Sequence, residues 1–541
     1  MKRLFTLLLI SFAALSCEMG DEKLDDFIGR DDSSVATIPN NQIWYTSTDG
    51  EVVEPYSGEF NNNADALTTF GVNIVSNTYV DGTGVIEFDR DITTIGDWAF
   101  NSCSSLTSVT IPDSVTEIGW SAFEGCSSLT SVTISDSVTT IGEGAFYGCR
   151  SLTSITIPDS VTKIGEKTFY CCSSLQEFNG KFASDDGRCL IIDGTLNSFA
   201  PVGLTEYTIP DSVTTIGNYA FYDCYSLTSV TISDSVTTIG SSAFNGCSSL
   251  QEFKGKFASK DGRCLIVDGT LISFAPAGLT EYTIPDSVTE IGYAAFAYCY
   301  SLTSVTIPDS VTTIGNEAFR SCISLTCVTI PDSVTTIGEG AFYGCISLTS
   351  VTIPDSVTEI GYAAFAYCSS LTSVTIPDSV TTIGEGAFYG CSSLTSVTIP
   401  DSVTEIGYAA FLSCISLTSV TIGDSVTTIG DYAFQSCSNL TSVTIGDSVT
   451  TIGDYAFNNC LSLTSVTIGD SVTTIGEGAF YWCNSLTSVY CKAITPPAGG
   501  IYMFSDNASG RKIYVPMESV EAYKSASYWS EYASDIVGYN F

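Results

Sequence analysis

The feature that most limits what this chain can fold into is a 23-residue self-similarity running through most of its length. Phe recurs at 100, 123, 146 and 169, again at 221 and 244, and then from 296 to 480 in unbroken steps of 23, giving 15 matching units. A typical unit runs Leu106-Thr107-Ser108-Val109-Thr110-Ile111-Pro112-Asp113-Ser114-Val115-Thr116-Glu117-Ile118-Gly119 and closes with Ala122-Phe123 and Cys126. Val109 and Ile111 alternate with Ser108 and Thr110, the period of a half-buried strand. Pro112-Asp113-Ser114 breaks that strand, since Pro lacks an N–H and Asp favours turns. Val115 to Ile118 reads as a second short strand, ended by Gly119, and Trp120 to Cys126 reads as one turn of helix. One such unit has no opposite face against which to bury its apolar side chains; stacked units bury them against each other. The expected fold is a repeat solenoid, with short parallel strands and a short helical turn in each rung and a cap at both ends. Some 17 rungs at about 4.8 Å make a body of roughly 80 Å.

The repeat divides the chain. The solenoid spans 92–489, a β-rich cap 41–91 precedes it, and a C-terminal cap 490–541 follows. Asp49-Gly50 predicts a hairpin in the first cap. Ile513 to Pro516 predicts a strand and Val520 to Lys524 a short helix in the second. The intervals Phe169 to Phe221 and Phe244 to Phe296 are each 52 residues, so each hides one lengthened rung, near 173–210 and 248–285. Lys181 to Gly194 is nearly copied by Lys256 to Gly269, and each copy carries two Asp-Gly turns, which predict a small three-stranded meander. Such inserts are either harmless extra loops or a raised feature for a partner. Tight protein contacts depend on a few aromatic or Arg anchors. Lys181, Phe182 and Arg188, then Lys256, Phe257 and Arg263, are therefore the candidate partner-binding residues. The two groups sit about three rungs apart, roughly 15 Å.

The consensus Leu-x-x-Val-x-Ile-Pro-x-x-Val-x-x-Ile-Gly-x-x-Ala-Phe-x-x-Cys resembles the BspA-like, or Treponema-type, leucine-rich-repeat family over about residues 92–489. The resemblance implies a surface protein of a bacterium or protozoan, with adhesion to host matrix proteins or to other cells as the associated role. It does not name a ligand, because function resides in sites rather than in folds.

Composition narrows the chemistry. The 541 residues carry 59 Asp+Glu against 19 Lys+Arg, a formal charge of −40, so nucleic acid and anionic membrane surfaces are excluded as partners. The absence of His removes Ser-His-Asp and Cys-His catalysis and the commonest metal ligand. Of 21 Cys, 15 stand three residues after the repeat Phe, from Cys103 to Cys483. Parallel stacking sets their Cβ atoms near 4.8 Å apart, against the roughly 3.8 Å of a disulfide, so they read as buried reduced thiols. A zinc array would need closed tetrahedral ligation without His. Cys327 replaces a Ser on the outward strand face and reads as an exposed thiol. The Asp column of Asp113, Asp136, Asp159, Asp309 and Asp332 reads as turn chemistry, with Ca²⁺ ligation as the alternative. The outward Ser108 and Thr110 begin a hydroxyl ladder. No catalytic constellation, cofactor site or metal site follows from the residues, and an enzyme is not expected. The leading expectation is a non-catalytic protein-binding scaffold for a host or bacterial surface or matrix protein. The alternative is a carbohydrate-binding module using edge aromatics such as Trp120, Tyr147 and Trp482.

The N-terminus reads as a targeting segment. Lys2 and Arg3 precede an apolar run from Leu4 to Leu15, too short to span a bilayer and suited to a signal peptide over 1–16. Ala14-Leu15-Ser16-Cys17 resembles a bacterial lipobox, which implies a lipid on Cys17. Residues 17–40 form an acidic tether, beginning Glu18-Met19-Gly20-Asp21-Glu22, similar to the surface-export signals of some Gram-negative lipoproteins. The implied location is the bacterial outer membrane or cell surface, with membrane contact only through the Cys17 lipid. Metabolic labelling with a palmitate analogue is expected to mark the wild-type chain and not Cys17→Ser; equal labelling of both rejects the anchor.

Overall fold

The computed structural model describes residues 38–55 and 67–541. The signal segment, Cys17 and residues 18–37 of the tether lie outside the described residues. Each regular rung supplies two short strands, as in Ser304–Thr306 and Thr313–Ile314. First strands pair in parallel from rung to rung, Val305 with Val328 and Val328 with Val351. Second strands do the same, Ile314 with Ile337, and build a 12-stranded sheet ending at Ala498–Gly499, in which only the first strand, Cys264–Val267, is antiparallel to its neighbour. The repeat Leu, Val, Ile, Ala, Phe and Cys face inward, and Leu325, Val334, Ala341, Phe342 and Cys345 are fully buried. The hydroxyl residues also have a structural use. Thr326 Oγ1 donates to the Thr303 carbonyl at 3.0 Å, and Ser333 Oγ donates to the Val311 carbonyl at 2.6 Å, each one rung back.

The third side of the rung departs from expectation: it is not a helical turn. Ala341 N–H donates to the Gly338 carbonyl at 3.3 Å and Cys345 N–H to the Phe342 carbonyl at 3.2 Å, closing two consecutive four-residue turns. The third residue of each turn, Gly340 and Gly344, has positive φ, as a type II turn requires. A helix would direct its N–H groups along its own axis. Here alternate N–H groups cross to the next rung, Gly340 to Tyr362, Phe342 to Ala364 and Gly344 to Ala366, all at 2.8 Å. The turn edge is thus a third hydrogen-bonded ladder. Spacing is tight enough to require glycine after the second strand: a Cβ on Gly338 would lie 2.5 Å from the Asn316 nitrogen and 2.6 Å from the Gly315 carbonyl carbon.

Inside, the Phe rings form a column. From Phe296 to Phe504 every successive pair is stacked, as for Phe319–Phe342 at 5.1 Å and 2° and Phe457–Phe480 at 5.3 Å and 0°. Centroids just over the strand spacing give the offset stacking that aromatic quadrupoles favour. Beside them runs the thiol column. The described cysteines are free, and Cys391 Sγ donates to the Phe365 carbonyl at 3.2 Å, a bond repeated by Cys345 to Phe319 and Cys414 to Phe388. Cys thus fills a small apolar site while contributing a weak donor across the rung boundary.

The lengthened rungs carry the expected three-stranded meander, with a short first arm: Ala183 bridges Leu190 antiparallel, Ser184 N–H donates to the Cys189 carbonyl at 2.8 Å and Ile191 N–H to the Phe182 carbonyl at 2.7 Å. Glu177–Gly180 stays in the first-strand ladder, parallel to Ser154–Ile157, while Cys189–Ile192 and Thr195–Phe199 form a two-stranded hairpin around Asp193-Gly194. The hairpin's second strand joins the second-strand ladder through Thr195 with Thr215. The Glu177 strand is paired by the parallel ladder on one side only, and on the other Phe178 N–H donates to the Gly187 carbonyl at 2.7 Å, which ties the insert to the ladder. The second copy repeats this with Cys264–Val267 and Thr270–Phe274.

At the N-terminal end the predicted Asp49-Gly50 hairpin does not form. Gln42–Ser47 instead lies between Thr83–Phe88 and Leu106–Thr110, antiparallel to both. That position buries Ile43 and Tyr45 and pairs the otherwise open edge of the first rung. At the other end Lys512–Pro516 continues the ladder, the helix Val520–Ser525 follows, and Ile536–Tyr539 adds a last parallel strand. Trp529 Nε1 donates to the Pro497 carbonyl at 2.8 Å and Tyr523 OH to the Ala493 carbonyl at 2.7 Å, which fixes both rings over the final rung.

Burial pushes the Cys391 and Cys437 thiols up to about 12. An unfolded thiol titrates near about 8.5, so between that value and 12 the unfolded chain sheds a proton that the folded chain keeps. Column stability is therefore complete below pH 8.5 and is lost progressively as pH rises toward 12. Urea midpoints are expected to stay level to about pH 8 and fall steeply above about 9, less steeply for Cys391→Ala/Cys437→Ala. A midpoint indifferent to alkaline pH contradicts a reduced, buried column.

Candidate interaction surface

On the hairpin edge, the expected cluster of cation, ring and guanidinium is split. Lys181 Nζ stands 4.9 Å over the Phe182 ring, and Lys256 Nζ 5.0 Å over Phe257. The arginines turn inward. Arg188 Nη1 donates to the carbonyls of Gln176 at 2.7 Å and Val202 at 2.8 Å, and Arg263 Nη1 to those of Ala275 at 3.1 Å and Ala277 at 2.9 Å. Each guanidinium therefore fastens its hairpin to the loop that follows it. Lys256 also donates to the Asp234 and Val236 carbonyls at 3.2 and 2.6 Å, whereas Lys181 is exposed. The structure brings Lys181 to Phe182 and Lys256 to Phe257, and assigns Arg188 and Arg263 to internal bonds.

The opposite edge carries what the sequence reading missed. From the second-strand Ile118 to the next Leu129 is eleven residues, but from Leu196 to Leu204, and from Leu271 to Leu279, only eight. The hairpin side is correspondingly longer: six residues lead from Ile157 to Lys163, fifteen from Gly180 to Thr195. The lengthened rungs thus gain on one edge and lose a turn on the other. The missing column Cys between Phe199 and Leu204, and between Phe274 and Leu279, is the sequence signal for this.

Each lost turn leaves a notch across which its neighbours meet. Tyr170 and Tyr222, two rungs apart, have ring centroids only 4.2 Å apart, less than half of two strand spacings. Cys171 Sγ donates to Asp223 Oδ2 at 3.6 Å over a cavity of about 150 Å³ that Arg150 also lines. Burial raises the Asp223 carboxyl above its usual range and pushes the Cys171 thiol up to about 12, so Cys171 is not a poised nucleophile.

Trp120, Tyr147 and Trp482 all lie on this turn edge, the first two on adjacent rungs and Trp482 many rungs away. Trp120 packs on Trp98 at 4.7 Å, Tyr147 stacks on Tyr170 at 4.9 Å, and Trp482 stacks on Tyr481 at 5.0 Å. Among the described residues no group of three or more Cys, Asp or Glu is placed to hold a metal ion. Farther along the Asp column, Asp424 N–H donates to Asp401 Oδ1 at 2.8 Å one rung back, and Ser471 Oγ donates to Asp470 Oδ1 at 3.2 Å within its own turn. Cys327 is exposed on the first-strand face.

Residues 80–184, 195–259, 272–382 and 358–487 match the family described as the BspA type leucine rich repeat region, in six copies. The chain belongs to the BspA-type leucine-rich-repeat family. Among solved structures it is similar to a leucine rich cell surface protein from Faecalibacterium prausnitzii, at 29% identity over 64% of this chain and 86% of that one, TM-score 0.38. A leucine-rich repeat protein from Eubacterium ventriosum is similar at 25% identity over 68% and 88%, TM-score 0.41. One from Bacteroides ovatus is similar at 25% identity over 91% and 98%, TM-score 0.36. No curated relative matches at a significant level.

Arg188→Ala is expected to loosen the first hairpin by about 1–3 kcal/mol, because it strips charged donors from two carbonyls. Hydrogen exchange should quicken over 189–199 and stay unchanged beyond residue 296; uniform protection would show that the guanidinium is not the fastener.

Proposed function

We propose that this chain is a cell-surface lipoprotein, held through Cys17, that serves as a non-catalytic protein-binding scaffold in adhesion to host matrix or to other cells. The observation that carries this reading is the pair of hairpins, which break an otherwise uniform face at two matched places. Each carries a Lys–Phe pair, Lys181 with Phe182 and Lys256 with Phe257, the Lys181 head exposed and the Lys256 head held by the Asp234 and Val236 carbonyls. Arg188 and Arg263 support recognition by holding the hairpins rigid, so little ordering entropy is lost when a partner docks. Two linked weak sites on one rigid body gain avidity without further contacts. The three ladders and the stacked core support a long stiff display. The description of the Faecalibacterium relative as a cell surface protein supports the location.

The hairpins lie off the turn edge, although removing them also removes the Arg188 and Arg263 bonds to the carbonyls of Val202 and Ala277. Replacing 181–194 and 256–269 by the Pro-Asp-Ser-Val-Thr of a regular rung restores the ordinary connection between the two strands. Cells displaying this variant, folded by circular dichroism, are expected to lose most adhesion to immobilised matrix proteins. Undiminished adhesion rejects the hairpins as the binding feature.

A further inference from the structure

The two notches lie two regular rungs apart, and between and beside them the turn edge forms one groove of about 260 Å³. Tyr170, Tyr219, Tyr222 and Tyr298 line its walls, and Ser242 and Asn245 lie on the two-rung island between the notches. A second hollow of about 250 Å³ continues it through Tyr293, Glu317 and Arg320.

Charge sets this groove apart from the rest of the edge. Its lining holds Lys167 and Arg320 against one carboxylate, Glu317, with Glu339 in the adjoining hollow, on a chain whose formal charge is −40. Glu317 is already paired with Arg320 at 2.8 Å. Lys167 Nζ stands 4.9 Å from the Tyr219 ring centroid, and no carboxylate among the described residues lies within ion-pair distance of it. The adjacent Glu166 accepts instead from Asn218 Nδ2 at 3.4 Å.

We propose that this groove binds a uronate-bearing oligosaccharide. Phenol rings offer flat, electron-rich faces to the C–H faces of pyranoses. Tyr hydroxyls, Asn245, Ser242 and the Arg320–Glu317 pair provide both donors and acceptors for sugar hydroxyls. Lys167 receives the carboxylate. The surrounding acidic surface repels polyanions of high charge density, so an oligosaccharide with one carboxylate per disaccharide fits better than a densely sulfated one. The site is separate from the hairpins, which lie on the other edge.

The test is calorimetry of residues 18–541 with glucuronate- and galacturonate-containing tetrasaccharides, their carboxyl-reduced forms and a proline-rich peptide. The wild type is expected to bind a uronate tetrasaccharide and to bind its neutral form at least about ten-fold more weakly, a preference that added salt erodes. Tyr222→Ala is expected to weaken binding about ten-fold or more, and Tyr222→Phe to retain most of it. Lys167→Gln is expected to bind acidic and neutral forms alike. Phe182→Ser/Phe257→Ser, which leaves Arg188 and Arg263 in place, is expected to bind as the wild type does, so failure of the adhesion reading and failure of this one are distinguishable. No binding of either uronate by the wild type, no acidic preference, or tighter binding of the peptide overturns the proposal.

Discussion

Parallel pairing from rung to rung governs this molecule. Each rung donates to its neighbour along two strands and along the turn edge, so three ladders hold the repeat at one spacing. Every side chain must then tolerate a copy of itself at about 4.8 Å. Only certain residues meet that condition on each side. Phe stacks on Phe, Thr and Ser hydroxyls reach the carbonyl one rung back, Cys donates to the preceding Phe carbonyl, and Gly lets backbones pass where a Cβ would collide. The consensus is a record of these compatibilities. Side chains that would clash or repel when stacked are confined to the outer surface.

Much of this was legible before any coordinates. The period, the two strands, the buried Leu, Val, Ile and Phe and the free thiols follow from spacing and residue type, because stacking makes burial periodic. What was not legible depends on hydrogen-bond direction. Trp120 to Cys126 has the length of a helical turn, and only the crossing of alternate N–H groups to the next rung shows it to be two linked turns. Arg188 and Arg263 look like anchors in a basic, aromatic insert, yet carbonyls far along the chain claim both. The lengthened rungs hid compensating changes, since a nine-residue gain and a three-residue loss read as one modest insertion. Lys167, Tyr219 and Arg320 drew no notice because they occupy variable positions, and their convergence depends on the shortened turns.

Gain and loss in the same rung have a common effect. The hairpins widen one edge while the notches draw in the other, so the two anomalous rungs carry a raised and a recessed feature back to back. Arg188 and Arg263 couple them, since each guanidinium sits in a hairpin but binds carbonyls of the shortened segment, at Val202 and Ala277. A local departure from the repeat thereby yields two surfaces without disturbing the core, where Phe199 and Phe274 pack on Phe221 and Phe296 at 4.7 Å.

Between Phe296 and Phe480 the rungs are close to interchangeable, and each touches only its immediate neighbours. Duplicating or deleting a 23-residue unit there would lengthen or shorten the body by a single spacing and leave the anomalous rungs, both end covers and every ladder intact. The stretch thus behaves as a ruler of about 40 Å, whose length changes in steps of one rung while the features before it stay fixed.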